Sequence, residues 1–181
     1  MGLSPVREAL SRLSRENLVR QADHRGFTVA PLSKADLQDL TKARCAIDAM
    51  ALRQSIEAGE AAWEENLLIA YHRLSRTPRF VAADTRMRSP AWEEAHKRFH
   101  AALVAGCGSR WLTEISGQLF EAAERYRHLA RLAGKSRSRD NEHLPIVGAA
   151  LAHKADLATE LLTLHFQRTA DLVETVLTPS P

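Results

Sequence analysis

Apolar residues recur every three to four positions through most of the chain, which is the spacing of amphipathic helices. Ser33 and the Ser89-Pro90 pair are typical of helix starts. The pattern predicts six helices, over about residues 34–58, 60–75, 90–105, 109–132, 142–153 and 156–177. The polar, proline-containing stretch 77–89 is expected to be a loop.

The pattern changes before Ser33. An amphipathic helix is predicted from Ser4-Pro5 onward, and a β-hairpin is predicted after it, because segments 18–20 and 26–30 flank a turn that contains glycine. The chain therefore divides into a helix-plus-hairpin region, residues 1–32, and an antiparallel bundle of six helices, residues 33–178. The expected fold class is all-α in the main, and the first region is too small to form a core of its own.

Composition and charge narrow the function. Hydrophobic residues make up 45% of the 181 residues, which is enough for a packed core. The sequence has neither an apolar run long enough for a membrane span nor a signal peptide, so a cytoplasmic protein without a membrane partner is expected. Its two cysteines, Cys45 and Cys107, lack metal-ligand spacing. Residues 1–32 carry five arginines against three acidic residues, which suits a surface that faces phosphates.

A helix with exposed arginines, followed directly by a basic hairpin, is typical of the end of a winged helix-turn-helix domain. The helix would enter the major groove of DNA, and the hairpin would lie against the phosphates. An ordinary amphipathic helix and hairpin would give the same periodicity, so the pattern alone leaves both interpretations open.

The string SPVREALSRLSRENLVRQADHRGFTVAPLS resembles the second half of the DNA-binding domain of the GntR family. Leu3 stands where many members have an arginine that reads a base. The resemblance implies that the two preceding helices of the domain are missing, which suggests a truncation or an internal start, and that this chain alone binds DNA poorly. It also implies a DNA-contacting set on the helix and wing tip: Ser4, Pro5, Arg7, Arg12, His24, Arg25 and Gly26.

Four of the eight histidines have a spacing that could place them together. His96 and His100 are four residues apart and so share one helical face, while His143 and His165 belong to the fifth and sixth predicted helices. Ligands from three helices can converge on a metal inside a bundle. Histidines four residues apart are also common without a metal, so spacing alone does not decide.

Residues 33–178 resemble the FCD effector-binding domain of the FadR-type branch of the same family, through the strings DLTKARCAID, FHAALVAGCGS, EHLPIVGAAL and DLATELLTLHF. In many members an aspartate and three histidines bind one divalent cation. The resemblance implies that His96, His100, His143 and His165 are the ligands here, with His96 in place of the usual aspartate. Four imidazoles favour zinc, with nickel as the alternative.

Arginines complete the predicted effector site. Arg44 lies on the apolar face of the first bundle helix, where Asp48 could also pair with it, and Arg125 and Arg127 bracket Tyr126, which is expected to face the core together with Trp111 and Ile115. In the FCD family the arginine that matches Arg44 helps to hold a carboxylate effector beside the metal. The predicted effector residues are Arg44, Arg125, Arg127 and Tyr126. The strings WEEAHKRFHAALVAGCGSRWL and ERYRHLARL resemble glutarate-responsive regulators, which implies a C4–C6 dicarboxylate.

The expected function is a homodimeric transcriptional repressor that binds a palindromic operator and responds to a small carboxylate effector. The alternative is a metal-dependent hydrolase or lyase that uses the histidine cluster. The sequence has no HExxH motif, and Glu93 and Glu94 lie one turn before the ligand pair without an assured inward direction. These features favour the regulator, which is not an enzyme.

Overall fold

The computed structural model describes residues 3–15, 19–22, 26–81, 84–135 and 142–177. In these residues a short N-terminal helix and hairpin precede a bundle of six helices, in the order α1 Leu3–Arg15, β1 Val19–Ala22, β2 Gly26–Val29, α2 Lys34–Ala58, α3 Ala61–Arg76, β3 Phe80–Val81, β4 Asp84–Arg88, α4 Pro90–Val104, α5 Arg110–Leu132, α6 His143–Leu151 and α7 Ala155–Leu177. The prediction of a mainly helical fold with a partial wing is confirmed.

The N-terminal region is small and open. Strands β1 and β2 pair antiparallel, with Val19 opposite Val29 and Ala22 opposite Gly26. Gly26 has a φ of +83°, a conformation that glycine adopts without steric cost. Most of the described side chains of α1 are exposed, so this region forms no core of its own.

The core of the bundle lies between α2, α3, α4, α6 and α7. The largest of its fully buried side chains are Leu52, Leu67, Phe99, Leu103, Ile146 and Leu162. A second, smaller cluster surrounds Tyr126 of α5 and Val173 of α7. Helix α2 begins where Oγ of Ser33 accepts a hydrogen bond from the amide of Asp36 (3.1 Å), and it ends at Gly59 in the left-handed conformation.

Two features differ from the sequence expectations. The stretch expected to be a loop contains the β3–β4 hairpin, in which Phe80 pairs with Arg88 and the amide of Ser89 donates to the carbonyl of Arg79 (3.1 Å). In α5, Trp111 and Ile115 are exposed, whereas Ser116 is buried. A prediction based on the large apolar side chains at the start of α5 therefore places its buried face one residue too early. None of the described helices combines the length and apolarity needed to cross a bilayer.

Candidate functional site

The structure brings the four predicted metal-binding histidines together. His96 and His100 come from α4, His143 begins α6, and His165 lies in the middle of α7. One ring nitrogen from each of the four lies within 4.8 Å of the others. The Nε2 atoms of His96 and His100 are 3.1 Å apart. His96, His100 and His165 are buried and His143 is half-buried.

Helix spacing and aromatic packing hold this cluster. Trp92, His96 and His100 lie four residues apart on one face of α4, and the indole of Trp92 stacks on His96 with ring centroids 4.6 Å apart. The ring of His100 lies 5.5 Å from Phe120 and 5.8 Å from Phe166. These walls limit the rotamers of the imidazoles, so their nitrogens face a common centre.

The environment favours neutral histidines. Burial lowers the pKa of His96 and of His100 well below the usual 6.5, and the neighbouring imidazoles and Arg127 lower both pKa values further. A neutral imidazole is the form that binds a metal. His96 and His100 therefore do not need to lose protons at neutral pH before they can bind an ion.

A carboxylate orients one of the rings. Nδ1 of His165 lies 3.0 Å from Oε2 of Glu142, which leaves Nε2 of His165 to face the cluster. Metal-binding histidines commonly have such a partner on the nitrogen that does not bind the ion. Tetrahedral zinc would place the four nitrogens about 3.4 Å apart. The cluster needs only a modest contraction to reach that geometry, so the donor set fits a divalent ion of the zinc type.

A cavity of about 480 Å³ adjoins the cluster and is lined in part by His96, His143 and His165. Four arginines contribute to its wall: Arg79 and Arg88 from the β3–β4 hairpin, and Arg127 and Arg131 from α5. Tyr71, Phe80 and Trp92 add aromatic surface. The wall thus combines metal ligands, guanidinium groups and aromatic rings, which suits a small anionic ligand.

Glu124 occupies part of this positive surface. Its carboxylate pairs with Arg127 and lies 3.8 Å from Nη1 of Arg131. Nη2 of Arg131 also donates to Glu93 (3.0 Å), and Oε1 of Glu124 lies 3.9 Å from Nδ1 of His96. Glu124 therefore connects the arginines of α5 with the edge of the histidine cluster.

The structure separates the predicted effector residues. Arg127 lines the cavity. Arg44 is buried, and its Cζ lies 3.9 Å from the ring centroid of Phe166 while its Nη2 lies 3.8 Å from Oδ2 of Asp48. Burial, together with the positive charge of Arg127, lowers the pKa of Arg44 to about 10. Arg44 is not among the residues that line the cavity.

Arg125 and Tyr126 contact the segment that joins β2 to α2, and neither lines the cavity. Nη2 of Arg125 donates to the carbonyl of Ala30 (2.8 Å), and the hydroxyl of Tyr126 donates to the carboxylate of Asp36. Burial and this acceptor raise the pKa of Tyr126 to about 12. Because α5 turns both side chains toward this segment, the structure places neither of them beside the cavity, and their contact with an effector stays a prediction.

Sequence reasoning missed three arginines of the cavity, Arg79, Arg88 and Arg131. Arg79 and Arg88 lie in the stretch expected to be a loop, where nothing in the spacing indicates that they reach the bundle. Arg131 belongs to the basic end of α5, which is also typical of a solvated helix end. The position of Trp92 one turn before His96 was a usable signal, because an indole near a metal ligand can bind guanidinium groups.

The predicted DNA-contacting residues divide into two groups. Ser4, Pro5, Arg7 and Arg12 belong to α1, where Pro5, Arg7 and Arg12 are exposed, and Gly26 begins β2. His24 and Arg25 lie outside the described residues.

Residues 39–168 match the FCD domain family. The chain is 39% identical over 174 residues to the HTH-type transcriptional regulator BphR of Paraburkholderia xenovorans, an alignment that covers 93% of this chain and 69% of the relative. It is 33% identical over 170 residues to the HTH-type transcriptional repressor GlaR of Escherichia coli, covering 91% of this chain and 76% of the relative.

Solved structures show the same fold. The Escherichia coli protein McbR/YncC matches with a TM-score of 0.74 at 19% identity, covering 97% of this chain and 81% of that one. A GntR-family transcriptional regulator from Pseudomonas syringae matches with a TM-score of 0.65 at 24% identity, covering 98% of this chain and 72% of that one.

These relatives are transcriptional regulators rather than enzymes, so the comparisons do not favour a metal-dependent hydrolase or lyase. The matching family covers most of the helical bundle, and the matches to regulators extend over nearly the whole chain. The chain belongs to the GntR family of helix-turn-helix transcriptional regulators, in the branch whose members carry an FCD domain.

Proposed function

We propose that this protein is a homodimeric, DNA-binding repressor controlled by a small dicarboxylate, such as glutarate, that binds beside a metal ion in the helical bundle. The observation that carries the proposal is the convergence of four imidazoles, three of which lie on the wall of a cavity that arginines also line. A cavity of about 480 Å³ is of the size that small ligands occupy. The relative GlaR is named a repressor, which supports the same direction of regulation here.

One divalent ion per chain is the proposed cofactor, with zinc first and nickel as the alternative. The four clustered histidines would hold it, and Glu142 would keep the ring of His165 in its binding orientation. Imidazole nitrogens suit zinc and nickel better than calcium or magnesium. A bound ion would supply a double positive charge that attracts a carboxylate effector.

The arginines of α5 would bind the effector carboxylate that lies beside the metal ion, because Glu124 joins them to the edge of the histidine cluster. Arg127 and Arg131 line the cavity with guanidinium groups, which match a carboxylate in a two-point hydrogen-bonded geometry. Arg127 also lies over the ring of Phe120, with its Cζ 4.6 Å from the centroid, so its position is supported by packing. A carboxylate is therefore favoured over a neutral or cationic effector.

One turn of α5 connects this cavity with the N-terminal region. Glu124 and Arg127 line the cavity, while Arg125 and Tyr126 hold the segment that leads to α2. An effector that moves Glu124 or Arg127 acts on the same turn that holds this segment. Binding of the effector in the bundle would thereby favour a different orientation of the N-terminal region.

The N-terminal region would contact DNA through α1 and the wing. Exposed Arg7 and Arg12 of α1 would face the major groove, near Ser4 and Pro5. The β1–β2 hairpin, whose second strand begins at Gly26, would approach the phosphates. His24 and Arg25 complete the proposed wing tip. A homodimer would place two such helices on the half-sites of a palindromic operator.

The proposal is tested by elemental analysis of the purified chain, followed by melting scans with succinate, glutarate and adipate. We expect about one zinc or nickel per chain and a melting temperature that at least one diacid raises, because a ligand that binds the native state stabilises it by mass action. Scans after removal of the metal with a chelator provide the control, and the diacid should then lose its effect. A metal-free chain that no diacid stabilises would contradict the proposal.

A further inference from the structure

Two arginines of the β3–β4 hairpin share one aromatic partner at the cavity wall. Cζ of Arg88 lies 4.2 Å from the ring centroid of Trp92, and Cζ of Arg79 lies 5.3 Å from it. Both guanidinium groups also lie 5.6 Å from the ring of Phe80. Because Trp92 also stacks on His96, the two arginines lie one aromatic ring away from the histidine cluster, and both line the same cavity.

The acidic residues Glu124 and Glu142 near the cavity form ion pairs with side chains other than Arg79 and Arg88. Glu124 pairs with Arg127 and Arg131, and Glu142 pairs with His165 and Arg168. Among the described residues, Nε and Nη1 of Arg88 are buried without a hydrogen-bonding partner. A buried guanidinium that lacks acceptors is costly, so this position favours a ligand that supplies them.

The electrostatics of the hairpin agree with this requirement. Burial, together with the positive charges of Arg79 and Arg131, lowers the pKa of Arg88 to about 9. The pKa of Arg79 is also lowered, first by burial and then by Arg131. An anion placed between these groups would offset both the lost hydration and the mutual repulsion.

We propose that Arg88, supported by Arg79, forms a second anion subsite that binds the distal carboxylate of the effector and selects dicarboxylates over monocarboxylates. This inference rests on the proposed function, in which the first carboxylate binds beside the histidine cluster. It assigns to the hairpin, rather than to the helices alone, the choice between an acid with one charged end and an acid with two. Hairpin residues that approach the cavity thereby become determinants of effector length and charge.

The test is isothermal titration calorimetry on the zinc-loaded chain with two probes, glutarate and its monoamide, which differ in one charged end. Arg88→Ala should weaken glutarate binding by about 10- to 100-fold, which is the usual loss when a charge-assisted contact is removed. Monoamide binding should change much less. Arg79→Ala should have a smaller effect in the same direction. Arg76→Ala is the control, because Arg76 is exposed on the last turn of α3 and does not line the cavity.

Arg88→Lys separates a binding effect from a folding effect. It keeps the charge but loses the two-point geometry, so an affinity for glutarate between those of the wild type and Arg88→Ala supports the subsite. If Arg88→Ala does not fold, Arg88→Lys and Arg79→Ala decide the question. An equal loss for both probes, or no loss for either, overturns the subsite and leaves the proposed function intact. A wild-type chain that binds neither probe overturns both.

Discussion

The carboxylate of Glu142 accepts a hydrogen bond from Nδ1 of His165 (3.0 Å), the ring nitrogen that faces away from the histidine cluster. The same carboxylate accepts a second hydrogen bond from Nη1 of Arg168 (3.2 Å). The carboxylate thus joins the residue before α6 to two positions on α7. This contact fixes which nitrogen of His165 is presented to an ion and makes that nitrogen a stronger donor.

Replacement of this carboxylate is expected to weaken metal binding. Glu142→Gln should lower the affinity for zinc by about 10- to 100-fold, because a neutral amide polarises the His165 ring less than a carboxylate does. Competition with a chromophoric zinc chelator measures the affinity. Arg168→Ala serves as the control, since it removes the other partner of Glu142 and leaves the contact with His165 in place. Equal zinc affinity in Glu142→Gln and the wild type would exclude this role.

Loss of a single histidine should lower metal content and thermal stability together. His100→Ala and His143→Ala each remove one of the four clustered nitrogens, and the metal-dependent part of the stability, about 2.7 kcal/mol at a hundredfold excess of ion over Kd, should then be lost. Elemental analysis and melting scans with and without chelator measure both quantities. His72→Ala is the matched control, because His72 is exposed on α3. A variant that keeps its full metal content removes that histidine from the ligand set.

The positions of the four histidines could be predicted because each lies on a helix whose buried face the sequence makes plain. The four-residue spacing of His96 and His100 fixes their common direction, and apolar neighbours of His143 and His165 turn both toward the core. Helix periodicity is a local property, so one sequence is enough to place such residues.

The arginines around the cavity depend on tertiary contacts instead. Arg79 and Arg88 reach the cavity only because a short hairpin packs their guanidinium groups on Trp92. The periodicity of the sequence does not predict that contact. Arg125 and Arg127 are two residues apart on α5, yet they face the linker and the cavity respectively. The exposure of Trp111 shows the same limit of sequence-based prediction, because large apolar residues do not always lie on the buried face of a helix.

Removal of Arg44 should affect stability more strongly than effector binding. Arg44 and Asp48 are both buried, so Arg44→Ala leaves a buried carboxylate without its cation, at a cost of about 3–5 kcal/mol in the free energy of unfolding. Urea unfolding of the metal-free chain measures the loss. The double variant Arg44→Met/Asp48→Leu should be more stable than Arg44→Ala, because it leaves no charge unpaired. Arg53→Ala, which breaks exposed ion pairs on the same helix, should lose much less.

Removal of the Glu124 charge should strengthen effector binding. The carboxylate of Glu124 pairs with Arg127 and approaches Arg131, so an incoming carboxylate has to compete with it for the same guanidinium groups. Glu124→Gln abolishes that competition and makes the cavity more positive, and we expect the affinity for glutarate to rise by about tenfold, equivalent to about 1.4 kcal/mol. Calorimetric titration of the zinc-loaded chain measures the change. Glu121→Gln, one turn earlier on α5 and paired with exposed Lys97, is the control and should leave the affinity as it is. If Glu124→Gln instead weakens glutarate binding, Glu124 is needed to position Arg127 and Arg131, and the carboxylate acts as a support for the site rather than as a competitor within it.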